Sequence, residues 1–211
     1  LVGSEMCIRD SYKTGSPKLS LNEIMEGLSL QLITYLLALS KTKDTKDLLP
    51  AAMMYIYLHG RPKSISVPPN GISHPKEKEN TNGIFLNDPD VLRTLDSQSG
   101  TDDGFIGVSY VKDGSVKKTS PVLTAEEFEA LKALTEKTLI RLYSRLESGE
   151  IAIHPVKNGT LSPCSYCPYR SICRFDPALP ENSFDYISKV SDKTIREKLD
   201  EEMKRNGKEN L

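Results

Sequence analysis

The chain has 211 residues, enough for one full domain with extensions, and is 37% hydrophobic and 27% charged, with five Phe, nine Tyr and no Trp. A net charge of −1 excludes a uniformly basic nucleic-acid coat but leaves room for a local basic track, because a field depends on where charges cluster. No run of about eighteen apolar residues occurs and nothing resembles a secretory signal peptide, so the expectation is a cytoplasmic protein without membrane contact.

Residues 1–11, Leu-Val-Gly-Ser-Glu-Met-Cys-Ile-Arg-Asp-Ser, show no period and no link to the pattern of the residues after them. They read as translated adapter sequence and are set aside from the fold, which is expected to start at Tyr12. Ser20-Leu-Asn-Glu23 has the form of a capping box. It predicts a helix to about Ser40, with Ile24, Leu28, Leu32, Leu36 and Leu39 on one face and Met25, Ile33 and Leu37 widening it. Ala51 to Leu58 is short, apolar and aromatic, and predicts a buried strand between Pro50 and Gly60. A helix followed by an apolar strand points to an α/β core with a covered sheet.

Pro68 to Asn82 reads as an exposed loop, Gly83 to Asp90 as a turn, and Asp90 to Asp96 as a short helix. Ser97 to Gly104 reads as flexible. Val108–Val111 and Val116–Lys118 flank Lys112-Asp113-Gly114 and predict a hairpin. A second capping box, Thr124-Ala-Glu-Glu127, opens a long helix to about Ser148, with Phe128, Leu131, Leu134, Leu142 and Leu146 on one side and Gly149 as the stop. Ser191 to Arg205 predicts a charged amphipathic helix on Ile195, Leu199 and Met203, before a frayed end.

The strongest chemical signal lies at residues 163–176, where Cys164, Cys167 and Cys173 form C-x2-C-x5-C. Two thiolates three residues apart can bite one centre from a single turn, and a third can close on it after a short helix. Soft sulfur donors favour zinc, copper(I) or iron–sulfur clusters. Tyr166, Tyr169, Ile172 and Phe175 are placed to shield such a centre from water. Zinc is the rival metal, with His154 as a fourth ligand, and three buried unligated cysteines are the plainest alternative. Lys157, Arg170 and Arg174 are candidate phosphate contacts or simply a solvated surface.

These cysteines with Arg174-Phe-Asp176, a Gln31-Leu-x-x-Tyr35 helix, Tyr12-Lys-Thr-Gly15, Gly83-Ile-Phe-Leu-Asn-Asp-Pro-Asp90 and Ser148-Gly-Glu-Ile-Ala-Ile-His-Pro155 occur in a telling order. Together they resemble the C-terminal RecB-like nuclease domain, of the PD-(D/E)xK class, found in the B-type subunit family of the bacterial ATP-dependent helicase/deoxyribonuclease. The resemblance covers Tyr12 to about Leu199. It implies a partial restriction-endonuclease-like α/β core at 12–162 with an insert from about Gly60 to Val122. An iron–sulfur segment at 163–177 and a helical tail at 178–211 would follow.

The resemblance also implies a 4Fe-4S staple with three ligands at Cys164, Cys167 and Cys173 and a fourth far upstream, for which Cys7 is a poor substitute. In that class two acids hold Mg²⁺ and a Lys helps activate the attacking water. Lys13 matches the Lys and Gly15 the Gly, while Ser11 stands where an Asp is expected. Asp10 is one residue off and would face the other side of a strand. The Mg²⁺ ligands are therefore expected to lie outside this chain, which as written is expected not to cut DNA. Gln31 and Tyr35, four residues apart on one helix face, are implied to line the active site.

The implied activity is a 5′-to-3′ exonuclease that processes double-strand breaks for recombinational repair, in a heterodimer with an A-type helicase/nuclease subunit. The chain holds no G-x-x-x-x-G-K-[ST] sequence, so any ATP binding belongs to other parts or to the partner. Two alternatives stand beside this. A CRISPR-associated RecB-like exonuclease also has clustered C-terminal cysteines, but lacks the long insert. A non-catalytic, metal-stapled DNA-binding or scaffold domain is what Ser11 in place of Asp would predict.

Overall fold

The computed structural model describes residues 18–43, 48–56, 81–101, 104–180 and 182–209, with the side chains of 206–209 left aside. The chain divides into two compact units, one formed by residues up to Leu19 and Gln31–Lys132, the other by Ser20–Leu30 and Ala133–Leu211.

The first unit is built on a three-stranded sheet in the order β1 (Ala52–Ile56), β2 (Thr81–Leu86), β3 (Val122–Leu123). β1 runs antiparallel to β2, and β3 parallel to it. β2 is the central strand: the Phe85 amide donates to Pro121 O at 3.0 Å, and the Leu86 amide to Ala51 O at 2.8 Å on the opposite neighbour. Ile84, Phe85 and Leu86 are consecutive and all buried, the pattern of a strand covered on both faces. The segment read as a turn is instead the middle of the sheet. The supposed turn opens on Gly83, but that glycine answers a packing demand. A Cβ at Gly83 would sit 2.5 Å from Met54 Cβ and 2.9 Å from Met53 O across the ladder.

After β2, Asp88 caps α3 (Pro89–Leu95): its side chain accepts from the amides of Asp90 at 2.9 Å and Val91 at 3.2 Å, with Pro89 in the first turn where no amide is needed. Asp96 then turns its buried carboxylate back into the chain. Its two oxygens accept from the amides of Gln98 (3.0 Å), Phe105 (2.8 Å) and Ile106 (3.2 Å). The described part of the stretch read as flexible is thus a pinned turn. Phe85, Leu92, Ile106, Val108 and Val122 close the core of this unit. The predicted hairpin is present as a single bridge, Tyr110 to Val116, with Gly114 at φ +85° and the Val111 amide on Ser115 O at 2.8 Å.

The single helix expected from Ser20 to Ser40 is two helices. α1 (Leu21–Met25) ends at Glu26, Gly27 and Ser29 take φ of +82° and +50°, and α2 starts at Gln31 and runs to Ser40. The side chain of Ser20 makes no cap. Glu23 is engaged elsewhere, accepting from Ser29 Oγ at 2.8 Å and Asn158 Nδ2 at 3.3 Å, so the capping box that its spacing predicts never closes. At Thr124 the same pattern does close: the Thr124 amide donates to Glu127 Oε2 at 2.8 Å and the Glu127 amide to Thr124 Oγ1 at 3.2 Å. Thr124→Ala is expected to cost about 1 kcal/mol in urea denaturation, and a loss near zero would show that packing of Phe128 alone holds this helix start.

That helix, α4 (Ala125–Glu147), gives its first part to the first unit and its remainder to the second. Phe128 and Leu131 are fully buried, while Leu146, expected on the same covered face, is 79% exposed. The helix stops where predicted. Gly149 adopts φ +71°, its amide donates to Leu146 O at 3.0 Å and the Glu150 amide reaches Arg145 O at 3.1 Å, a Schellman closure. Arg145 forks onto the Glu150 carboxylate at 2.7 and 2.5 Å, and this hydrogen bonding holds that carboxyl below its ordinary range. The clasp is therefore complete above the ordinary glutamate range and lets go as pH falls through the lowered value.

In the second unit, α6 (Asp192–Glu209) packs on α1, and Ile195, Leu199 and Ile24 are all buried. Asn22 ties α1 to the approach of that helix, donating to Ser188 O at 3.1 Å and accepting from the Val190 amide at 3.3 Å. β4 (Val156–Lys157) and β5 (Asp185–Tyr186) form a short parallel pair around the cysteine segment. No helix among the described residues is long and apolar enough to cross a membrane.

Candidate functional site

Gln31 and Tyr35 occupy the first and second turns of α2, the helix that packs on β1 in the first unit. Their spacing of four puts them on one face, and Gln31 Nε2 donates to Tyr35 Oη at 2.7 Å. Both are half-buried, so each side chain is held in place yet reachable from water. An amide N–H and a phenol O–H on one helix face are donors of the kind suited to positioning a phosphodiester oxygen. Lys13, Ser11 and Cys7 lie outside the described residues.

The cysteine segment begins with a capped 3-10 turn, Pro163–Ser165, in which the Cys164 amide donates to Ser162 Oγ at 3.3 Å. α5 (Arg170–Cys173) follows at once. The Cys173 amide donates to Tyr169 O at 2.9 Å, and Arg174 ends the helix in the left-handed region at φ +51°. Cys164, Cys167 and Cys173 are free and half-buried. Local hydrogen bonds thus set the backbone at Cys164 and Cys173.

The surroundings differ from those expected. Tyr166, Tyr169 and Ile172 are exposed, at 80%, 66% and 78%, and do not shield the thiols. Of the four residues read as a shield only Phe175 is half-buried, and it packs edge-on against Phe184 with ring centroids 4.8 Å apart. Phe184 in turn meets Tyr186 at 6.0 Å. Lys157, read as either a phosphate contact or a solvated residue, sits over these rings, its Nζ 4.8 Å from the Phe184 centroid and 5.8 Å from that of Tyr186. Arg170 and Arg174 are exposed.

Among the described residues, no three His, Cys, Asp or Glu side chains come together as a group that could hold a metal ion. The iron–sulfur staple, and equally the zinc site with His154, is therefore not a feature of the described fold. Cys164 stands on the 3-10 turn, Cys167 after it and Cys173 on the four-residue helix, and the neighbouring Tyr166, Tyr169 and Ile172 are turned to water. The donor chemistry still suits three corners of a soft-metal centre, and the fourth donor that the resemblance places upstream is not among the described residues.

Comparison with known proteins bears on both sites. The family described as the PD-(D/E)XK nuclease superfamily matches residues 3–174, a span that contains Gln31, Tyr35 and all three cysteines. Proteins named as the B-type subunit of an ATP-dependent helicase/deoxyribonuclease are similar over most of the chain. That of Clostridium kluyveri is 34% identical over 192 residues, 87% of this chain and 17% of the relative. That of Desulforamulus reducens is 32% identical over 194 residues, 87% of this chain and 16% of the relative. That of Bacillus subtilis is 31% identical over 200 residues, 90% of this chain and 17% of the relative. The chain thus spans 16–17% of the length of these relatives. The mixed α/β sheet, the placement of Gln31 and Tyr35 beside it and the match over residues 3–174 lead to one conclusion: the chain belongs to the PD-(D/E)XK nuclease superfamily.

Proposed function

We propose that this chain is the nuclease domain of a longer DNA-processing protein, one that cleaves DNA with Mg²⁺ as a 5′-to-3′ exonuclease. By analogy with its helicase/deoxyribonuclease relatives, it would work at double-strand breaks beside an A-type helicase/nuclease subunit. The observation that carries this reading is the Gln31–Tyr35 pair, hydrogen-bonded at 2.7 Å on α2 beside the sheet. Acids outside the described residues would hold Mg²⁺, which when bound would supply charge stabilisation at the phosphate and a more acidic water. The chain's own residues have simpler tasks. Gln31 and Tyr35 hydrogen-bond and orient the phosphodiester, and Lys13 orients the attacking water. Ser11 holds the position where a metal-binding acid belongs, so the chain with Ser11 is inactive and an Asp there restores the ligand.

Cys164, Cys167 and Cys173 are in this reading three ligands of a 4Fe-4S cluster, completed by an upstream cysteine. Three free, half-buried thiols within one short segment support it.

The test of the pair is Gln31→Ala in a full-length protein that carries this chain with Asp at position 11. Removing one preorganised polar contact to the reacting phosphate is expected to lower Mg²⁺-dependent cleavage by roughly 10²-fold, while the loss of one hydrogen bond shifts stability by only about 1 kcal/mol. Cleavage at the unsubstituted rate would remove Gln31 from the site.

A further inference from the structure

The second unit holds a groove that the nuclease reading does not use. On α4, Leu134, Lys137, Thr138 and Arg141 follow at i, i+3, i+4 and i+7, and on α6, Lys198, Glu201, Glu202 and Arg205 follow at the same spacing. Each helix therefore turns one face to the space between them, about 360 Å³ in volume, with Met25 of α1 also lining it. The charges are unequal, four cations against two carboxylates. One carboxylate is already answered: Glu202, with its side chain only 3% exposed, is ion-paired to Lys137. That leaves Arg141, Lys198 and Arg205 facing Glu201 alone, and no ion pair among the described residues engages these three cations. Such an excess is notable in a chain whose net charge is −1.

We propose that this groove binds the phosphate of a nucleotide unit. Two guanidinium forks match phosphate oxygens in pairs, and the ammonium of Lys198 adds an adaptable donor. The thioether of Met25 and the side chain of Leu134 offer a soft apolar surface for a sugar or base, beside the Thr138 hydroxyl. A volume near the lower end of ligand pockets, about 300–1,000 Å³, fits a single such unit rather than a bulky ligand. The preference for a nucleotide over an acidic peptide rests on the nuclease reading. The same phosphate chemistry is presented by a single strand and by a free nucleotide.

The test uses the 211-residue chain in EDTA, where no metal-dependent cleavage occurs, with fluorescent oligothymidylate and competing thymidine monophosphate as probes. Wild type is expected to bind the oligonucleotide in a salt-dependent manner. The combined variant R141Q/K198Q/R205Q is expected to lose roughly 2 from the log–log salt slope, since each single-strand phosphate contact contributes about 0.7. Glu201→Gln removes the opposing charge and is expected to tighten binding about twofold. Monophosphate that competes for the groove identifies the ligand as a free nucleotide, and binding of the oligonucleotide alone identifies it as a strand; both support the proposal.

An unchanged slope in the combined variant, no binding of either probe, or tighter binding of polyglutamate than of oligonucleotide would overturn it. Should the combined variant lose its helical circular dichroism, Glu201→Gln decides, and binding that is unchanged or weaker overturns the proposal. Because the readout is binding without metal, its failure is distinct from a failure of Mg²⁺-dependent cleavage.

Discussion

Replacing Cys164, Cys167 and Cys173 with serine in a full-length protein that carries this chain is expected to turn an anaerobically purified brown protein colourless and to unfold its C-terminal segment. The size of the effect follows from how little else holds this region. Around the cysteines the ordered backbone amounts to a 3-10 turn of three residues and a helix of four, with Tyr166, Tyr169 and Ile172 turned to water. Helices this short do not persist in water on their own. A structural metal centre couples its binding to folding and contributes on the order of 10 kcal/mol. Without it, the fixed points nearby are small ones such as the β4–β5 pair and the Phe175–Phe184–Tyr186 stack under Lys157. Rapid proteolysis after Tyr166 or Tyr169 in the serine variant, with the first unit left intact, is the expected pattern. A colourless wild-type protein with stoichiometric zinc would assign the thiols to a different metal.

The second large effect is expected at Phe85. It is 1% exposed, lies in the central strand and packs with Leu92, Ile106, Val108 and Val122. Phe85→Ala removes a ring from a site closed by strands on both sides, where the backbone has little freedom to collapse into the space. Losses of this kind run to about 3–5 kcal/mol, a large share of the roughly 5–15 kcal/mol that holds a typical domain. Urea denaturation is expected to show a much lower midpoint with an unchanged slope. A loss below about 1 kcal/mol would mean that β2 is not the centre of the sheet.

The sequence was most legible where structure is decided within four or five residues. Thr124 with Glu127, and Gly149 after α4, behave as their spacing predicts because both partners of each contact are local. The same grammar failed at Ser20, where Glu23 finds Ser29 and Asn158 instead, the latter 135 residues away. Nor does helical periodicity reveal that Gly27 and Ser29 break the helix, because apolar spacing runs straight through the break. The segment from Gly83 looked like a turn because glycine has two uses, left-handed backbone and close approach, and only the neighbouring Met54 tells them apart.

The candidate site divides in the same way. The identity of Gln31, Tyr35 and the three cysteines came from short motifs, and the structure adds the 2.7 Å hydrogen bond between the first two. The solvent exposure of Tyr166, Tyr169 and Ile172 and the seat of Lys157 on aromatic rings depend on packing that no local pattern carries. The cationic groove was equally hidden. Lys137 and Arg141 on one helix, and Lys198 and Arg205 on another, each look like an ordinary solvated face until the helices are set side by side.

With Asp at position 11, this domain is expected to cut DNA with Lys13 and Mg²⁺, and the most direct measurement is nucleotide release from 5′-labelled duplex DNA. It is made on the full-length protein with Asp at position 11, with and without Lys13→Ala. Cleavage is expected in Mg²⁺ and none in EDTA, with a fall of about 10²–10³-fold on removing the Lys13 charge. Undiminished cleavage by Lys13→Ala would contradict it. So would a protein that binds DNA in Mg²⁺ without cutting it, the behaviour of a non-catalytic domain in which the serine at position 11 is native.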